Sequence, residues 1–249
     1  MVSVRLIGPG RAGRSLALAL ADAGCAVLDV LDRHDDVAGA AAGVDVLVLS
    51  TPDTAIAAVA RSVVPVVSTL VVHLSGSLAL DVLAPHPRRA SLHPLVPLPT
   101  PEIGRARLRS GAMFAVSGDQ AAVELVRLLG ARALVVDDDD RVAYHAAACI
   151  AANHVVALLG QAERVAALAG LPLDALLGLT RAALDDVASL GAARALTGPA
   201  ARGDLETVHR HRDMLCARAP DELPGYDAGV ALARRLAGEP ATEELAPCG

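Results

Sequence analysis

The chain has 249 residues and a formal net charge of −6, and 53% of it is apolar, enough for one large core or two modest ones. The acidic balance, the absence of basic clusters and an aromatic fraction of 1% speak against a nucleic-acid partner. Arg, Asp or His interrupts every long apolar stretch, so no membrane span is expected, and no basic leader precedes the first strand pattern.

Residues 1–7 read as a short strand running into Gly8-Pro9-Gly10-Arg11-Ala12-Gly13. An Ala/Leu-rich helix follows over 14–23, closed by Gly24. This is G-x-G-x-x-G between strand and helix, the context that the motif requires. Gly8 permits the tight turn, Gly10 lets a pyrophosphate approach the backbone, and Gly13 lets helix and strand pack closely. Arg11 and Ala12 complete the turn with Pro9, and the free N–H groups of the helix start attract phosphate. A dinucleotide, NAD or NADP, is the expected cofactor.

A second strand over Ala26–Leu31 ends in Asp32-Arg33. Asp32 stands where an acidic side chain reaches the ribose hydroxyls of NAD, whereas Arg33 suits the 2′-phosphate of NADP, and the preference stays open. The apolar run 43–53 suits a strand covered on both faces. Its end, Ser50-Thr51-Pro52, belongs at the carboxyl edge of the sheet beside the cofactor, and Asp53 is read as the cap of a helix over 54–61.

Further strands are expected over 70–74, emptying into Ser75-Gly76-Ser77, and over 90–93, ending at Pro94. Pro94, Pro97, Pro99 and Pro101 predict a rigid loop over the sheet edge. A strand over 112–117, a helix over 119–129 and a strand over 133–136 complete about seven strands, as a doubly wound sheet requires. Asp137 to Asp140 favour a helix start, and capping is read as their whole purpose. Only helices follow, over 141–169, 173–189, 205–217 and 226–237, with a loose tail from Gly238. The expected architecture is therefore α/β, with a Rossmann-like doubly wound domain over 1–137 and an all-helical domain over 138–249.

Cys25, Cys149, Cys216 and Cys248 are widely spaced without a C-x-x-C pair, so neither a metal site nor a disulfide framework is expected, and free thiols in a cytoplasmic protein are. The chain contains no lysine, which excludes a lysine general acid or a Schiff base.

Five stretches carry a family resemblance: Ile7-Gly8-Pro9-Gly10-Arg11-Ala12-Gly13, His73-Leu74-Ser75-Gly76-Ser77, Ser91-Leu92-His93-Pro94-Leu95, Tyr144-His145-Ala146-Ala147-Ala148 with Asn153, and 195–204. With these the chain resembles the Rossmann-like proteins that carry a DUF2520 domain. Their relatives include 6-phosphogluconate dehydrogenase, pyrroline-5-carboxylate reductase, prephenate dehydrogenase and ketopantoate reductase. The resemblance implies an NAD(P)-binding N-terminal domain, a helical C-terminal domain and a homodimer formed through the helices. It supplies no substrate. Asp32 before Arg33 departs from the small polar residue that such proteins tend to carry.

Ser75, Ser77 and His93 stand at neighbouring strand ends. By resemblance to prephenate dehydrogenases, His93 is the general acid/base, oriented by Ser75; otherwise it stiffens the proline loop. His145, Cys149 and Asn153 share one helix face, where the wider superfamily carries a lysine and an asparagine, and His145 is the nearest proton-donating substitute. Ser77, Thr197 and Arg202 are read as substrate contacts, Arg202 through a bidentate carboxylate clamp, while Asp204 caps the next helix. The expected function is hydride transfer between NAD(P)H and a small carbonyl or imine acid at the interdomain cleft. The alternative is a catalytically inactive dinucleotide-binding sensor or scaffold.

Overall fold

The computed structural model describes residues 1–238, so Cys248 and the tail beyond Gly238 lie outside the described residues. The chain divides into two compact units, 1–152 and 153–249. The expected division falls earlier, at 137–138; the difference is the helix that starts at Arg141, which goes with the first unit.

The first unit is built on seven strands: β1 (Ser3–Ile7), β2 (Ala26–Leu31), β3 (Val46–Leu49), β4 (Leu70–His73), β5 (Arg89–Pro94), β6 (Met113–Gly118) and β7 (Arg132–Val135). Their order across the sheet is β2-β1-β3-β4-β5-β6-β7. The first five are parallel, β6 runs antiparallel to β5, and β7 is parallel to β6. The chain crosses from β2 to β3 on the far side of β1, so the order reverses between β1 and β3, the switch point where open α/β sheets leave a crevice.

The strands alternate with α1 (Arg11–Asp22), α2 (Asp53–Ser62), α3 (Pro101–Arg109) and α4 (Ala121–Leu128). The period of two divides the core between the faces of the sheet. Val4, Leu6, Val46, Val48, Val72 and Leu92 enter one cluster, and Ile7, Leu47, Leu49 and Val71 the other. α1 lies against α3 closely enough that a methyl group at Gly104 would fall 2.1 Å from Ser15 Oγ.

Several expectations need correction here. The proline segment is not all loop. Pro101 opens α3, whose N-cap Thr100 accepts the Ile103 N–H, because a proline suits the first helical turn as well as it suits a loop. Pro94 closes β5 opposite Phe114, at the end of the ladder where its missing N–H is tolerated. Asp138 is more than a helix-start charge, since its carboxylate accepts the Leu80 N–H at 2.8 Å and the Ser117 hydroxyl at 3.2 Å.

α5 (Arg141–Cys149) leads through a π-helical turn, Ile150–His154, into α6 (Val155–Ala167). The helical run Asp138–Ala167 contains an 18-residue window of mean hydropathy 1.6 and is long and apolar enough to cross a membrane by length and composition only, because scattered polar residues dilute its character without breaking it. The second unit continues with α7 (Asp174–Leu190), α8 (Ala192–Ala195), α9 (Leu205–Arg218) and α10 (Leu223–Leu236). Arg212 grips Asp227 with two hydrogen bonds, at 2.8 and 3.1 Å, and joins α9 to α10. Arg164 pairs with Glu222. Cys25 is a free thiol, but Cys216 is disulfide-bonded, against the expectation of free thiols throughout.

Candidate active site

The register brings Ile7, Leu49, His73 and Ser91 into one row across β1, β3, β4 and β5. Everything just past that row shares one edge of the sheet: the glycine turn, Ser50 to Asp53, Ser75 to Ser77, and His93.

At the switch point this edge holds a cavity of about 640 Å³. Gly8, Pro9 and Gly10 form one wall, Ser50, Thr51 and Pro52 another, and Asp32 and Arg33 a third. Gly8 adopts φ +109°, and a Cβ there would lie 2.7 Å from the Ser50 carbonyl, so turn and crowding both require glycine. Gly13 is pressed against the Gly8 carbonyl, which a Cβ would meet at 2.2 Å. Gly10 alone faces open space. Arg11, Ala12 and Gly13 make the first turn of α1 behind that wall. No side chain caps α1 and its first turn has no acidic residue, so its N–H groups point at an uncompensated anion position.

The residues present fit a dinucleotide. Thr51 Oγ1 is buried on the cavity wall without a hydrogen-bond partner among the described residues, a polar atom that a ligand would satisfy. Ser50 differs: its hydroxyl donates to the Gly8 carbonyl at 2.7 Å and braces the glycine turn. Asp32 is partly engaged, since its carboxylate accepts the His34 N–H at 2.8 Å. Arg33 is exposed, with Nε 3.2 Å from His34 Nε2.

A second cluster lies further along the edge. His93 Nδ1 is 2.6 Å from the Tyr144 hydroxyl, and the two rings meet edge to face. His93 also meets His145 edge to face, with ring centroids 5.5 Å apart. Gly76 makes this possible, because a methyl group there would lie 2.3 Å from His145 Nδ1 and 3.0 Å from His93 Nε2. His145 Nε2 is 3.6 Å from Cys149 Sγ. Burial above all, then the neighbouring His145 and Arg141, pushes His93 down to about 4, so its ring is neutral at neutral pH. Burial raises Tyr144 above the usual phenol range, and Arg141 opposes that shift.

Ser75 faces away from His93. Its hydroxyl donates to Asp53 at 2.6 Å and accepts the N–H groups of Ser77 and Leu78. Asp53 therefore does not cap α2; it ties α2 to the loop after β4, with the Ser77 hydroxyl as a weaker second donor at 3.4 Å. Arg141, fully buried, donates to the Ser75 carbonyl at 2.6 Å and to Ser117 Oγ at 3.3 Å. Asn153, Thr197 and Arg202 lie in the second unit, each exposed there, and Asp204 caps α9 through the Thr207 N–H. Tyr144 and Gly76 stand in the quoted stretches without a role assigned to them, and Arg141 lies outside those stretches altogether. The four-residue spacing of Arg141, His145 and Cys149 is the sequence signal that shows this helix turns one face to the sheet.

Sheet order, glycine turn and switch-point cavity together define the first unit as a Rossmann-like α/β fold, followed, among the described residues, by helices alone. Residues 112–233, just under half of the chain, match the family described as "Domain of unknown function (DUF2520)". Among solved structures, a protein of Bacteroides fragilis described as a candidate NADP oxidoreductase is 21% identical, with TM-score 0.79 over 94% of this chain and 98% of that one. Pyrroline carboxylate reductase of Plasmodium falciparum, solved with NADP bound, is 11% identical with TM-score 0.61, covering 95% and 98%. A reductive aminase of Aspergillus terreus, solved with cyclohexanone and allyl amine, is 16% identical with TM-score 0.60, covering 97% and 89%. At these identities the likeness is one of fold. No curated protein sequence matches the chain.

Proposed function

We propose that the protein is an NAD(P)-dependent oxidoreductase that reduces a small carbonyl or imine compound, acting in the cytoplasm as a homodimer. The observation that carries the cofactor is the cavity at the switch point, with open space at Gly10, uncapped N–H groups on α1 and the unpartnered Thr51 hydroxyl. The glycine turn and α1 would hold the diphosphate, Asp32 or Arg33 the adenosine ribose, and Thr51 and Pro52 the chain toward the nicotinamide. A bound dihydronicotinamide supplies the hydride.

The chain's own contribution is proton handling. A carbonyl or imine that gains a hydride also needs a proton, and His93, Tyr144 and His145 form a titratable cluster at the same edge of the sheet. Ser75 supports the cluster from behind, by fixing the loop that carries Gly76. The reductases among the structural neighbours support this class of reaction.

The homodimer is supported by the helices. α6 and α7 contain no buried residue, and Val156 and Leu179 stand 70% and 71% exposed. Apolar faces of that kind call for cover, which a second copy of the same helices supplies. Incubating the protein with NADH or NADPH and a panel of small 2-oxo acids and cyclic imines, and following the dihydronicotinamide absorbance, tests the reaction. Steady consumption with one of these classes is the expected result. Binding without consumption across the panel would favour a sensor or scaffold instead.

A further inference from the structure

We propose that the Tyr144 hydroxyl is the group that touches the substrate and gives it a proton, and that His93 is its positioning partner. The inference rests on the reductase reading above and assigns the proton within it.

His93 is neutral at neutral pH, and a neutral imidazole N–H is a far weaker acid than a phenol. Arg141 is spent on the Ser75 carbonyl and Ser117, and lysine is absent from the chain. Of the other groups around His93, His145 meets it only ring to ring, whereas the Tyr144 phenol is hydrogen-bonded to it at 2.6 Å, on a half-buried side chain that keeps contact with solvent.

The bond between the pair then has a direction. If Tyr144 donates to His93 Nδ1, its only hydrogen is used up. If His93 carries its hydrogen on Nδ1 and donates to Tyr144 Oη, the phenol hydrogen is free for the substrate. The same N–H also stabilises the phenolate left behind. The niche at Gly76 holds the imidazole in place for this.

The step balances. As the substrate carbon accepts a hydride, the π electron pair of its C=O or C=N bond moves to oxygen or nitrogen. The Tyr144 O–H bond breaks and a new O–H or N–H bond forms on the substrate. The negative charge rests on Tyr144 Oη against the His93 N–H until water returns a proton.

The test uses the whole chain. It contains two tyrosines and no tryptophan, so ultraviolet titration of phenolate in a Tyr226→Phe background reports Tyr144 alone. His93→Leu is expected to raise the Tyr144 ionisation by about one pH unit. His93→Asn, whose amide N–H replaces that of Nδ1, is expected to restore it. Nitrogen NMR of histidine-labelled, ligand-free protein is expected to show His93 protonated on Nδ1. Protonation on Nε2, or a Tyr144 ionisation unmoved by His93→Leu, would overturn the proposal. In turnover, Tyr144→Phe is expected to lower kcat about 100-fold with KM and dinucleotide affinity unchanged; wild-type turnover in that variant would also overturn it. Failure of the wild-type protein to bind a dinucleotide overturns the reductase reading itself. The titration and the NMR are read without ligand and judge the pair separately.

Discussion

Ser50 Oγ donates to the Gly8 carbonyl at 2.7 Å, and together with the Ser50 N–H on the Ile7 carbonyl at 2.8 Å it clamps the end of β3 onto the glycine turn after β1. Gly13 packs directly on both partners of the first bond: a Cβ there would lie 2.2 Å from the Gly8 carbonyl and 2.4 Å from the hydroxyl. Gly10, two residues after Gly8, borders only empty space. The three glycines thus answer to different physics, and alanine substitution separates them. Gly13→Ala is expected to cost about 1–3 kcal/mol of stability through overpacking, read as a lower urea midpoint. Gly10→Ala is expected to cost less than about 1 kcal/mol of stability, while weakening dinucleotide binding at least about tenfold. Equal losses of stability in the two variants would contradict the assignment.

Gly76 gives a second contrast. Its missing side chain is the space in which His145 and His93 approach each other. Gly76→Ala is expected to push the rings apart and lower turnover at least about 100-fold, leaving dinucleotide affinity intact. Loss of dinucleotide affinity in step with turnover would place Gly76 in the cofactor cradle instead.

Acid should loosen the fold in a defined window. His73 is fully buried in β4, and burial, aided by the charge of Arg141, lowers it from 6.5 to about 4. Between those values the unfolded chain binds more protons than the folded one, so stability rises with pH. The contribution is complete above the unfolded value and is lost as the pH falls toward about 4. His93 is shifted in the same direction. A lower urea midpoint at ~pH 5 than at ~pH 7 is expected, with His73→Leu reducing the difference. An equal or higher midpoint in acid would show that neither ring is held neutral by the fold.

The bare helices predict an assembly. With Leu158 52% and Leu184 55% exposed beside Val156 and Leu179, sedimentation velocity is expected to return a dimer. Charged substitutions at Val156 and Leu179 are expected to split it. A monomer at all concentrations would contradict the assembly.

How much of this was legible in the sequence follows from the kind of signal each element sends. β2 is readable at both ends, because its apolar run is bounded by Gly24 and by Asp32-Arg33. α1 begins at Arg11 although its Ala/Leu pattern becomes visible only after Gly13, since the second half of the glycine motif is already helical. α3 hides behind its own prolines: Thr100-Pro101 is also an N-cap and first-turn signal, but the neighbouring Pro94, Pro97 and Pro99 give it the look of a loop. In the site, the cofactor-facing glycines follow from local spacing. The partners of Asp53, Asp138 and His93 do not, because Ser75, Leu80 and Tyr144 are brought to them by strand order, which no local pattern encodes.

The glycine turn and the cavity beside it carry the whole account, and calorimetric titration of the wild-type protein with NADH and NADPH tests them most directly. Saturable binding of at least one of the two, weakened by Gly10→Ala and retained by Tyr144→Phe, is the predicted result. A folded protein that takes up neither would contradict the account.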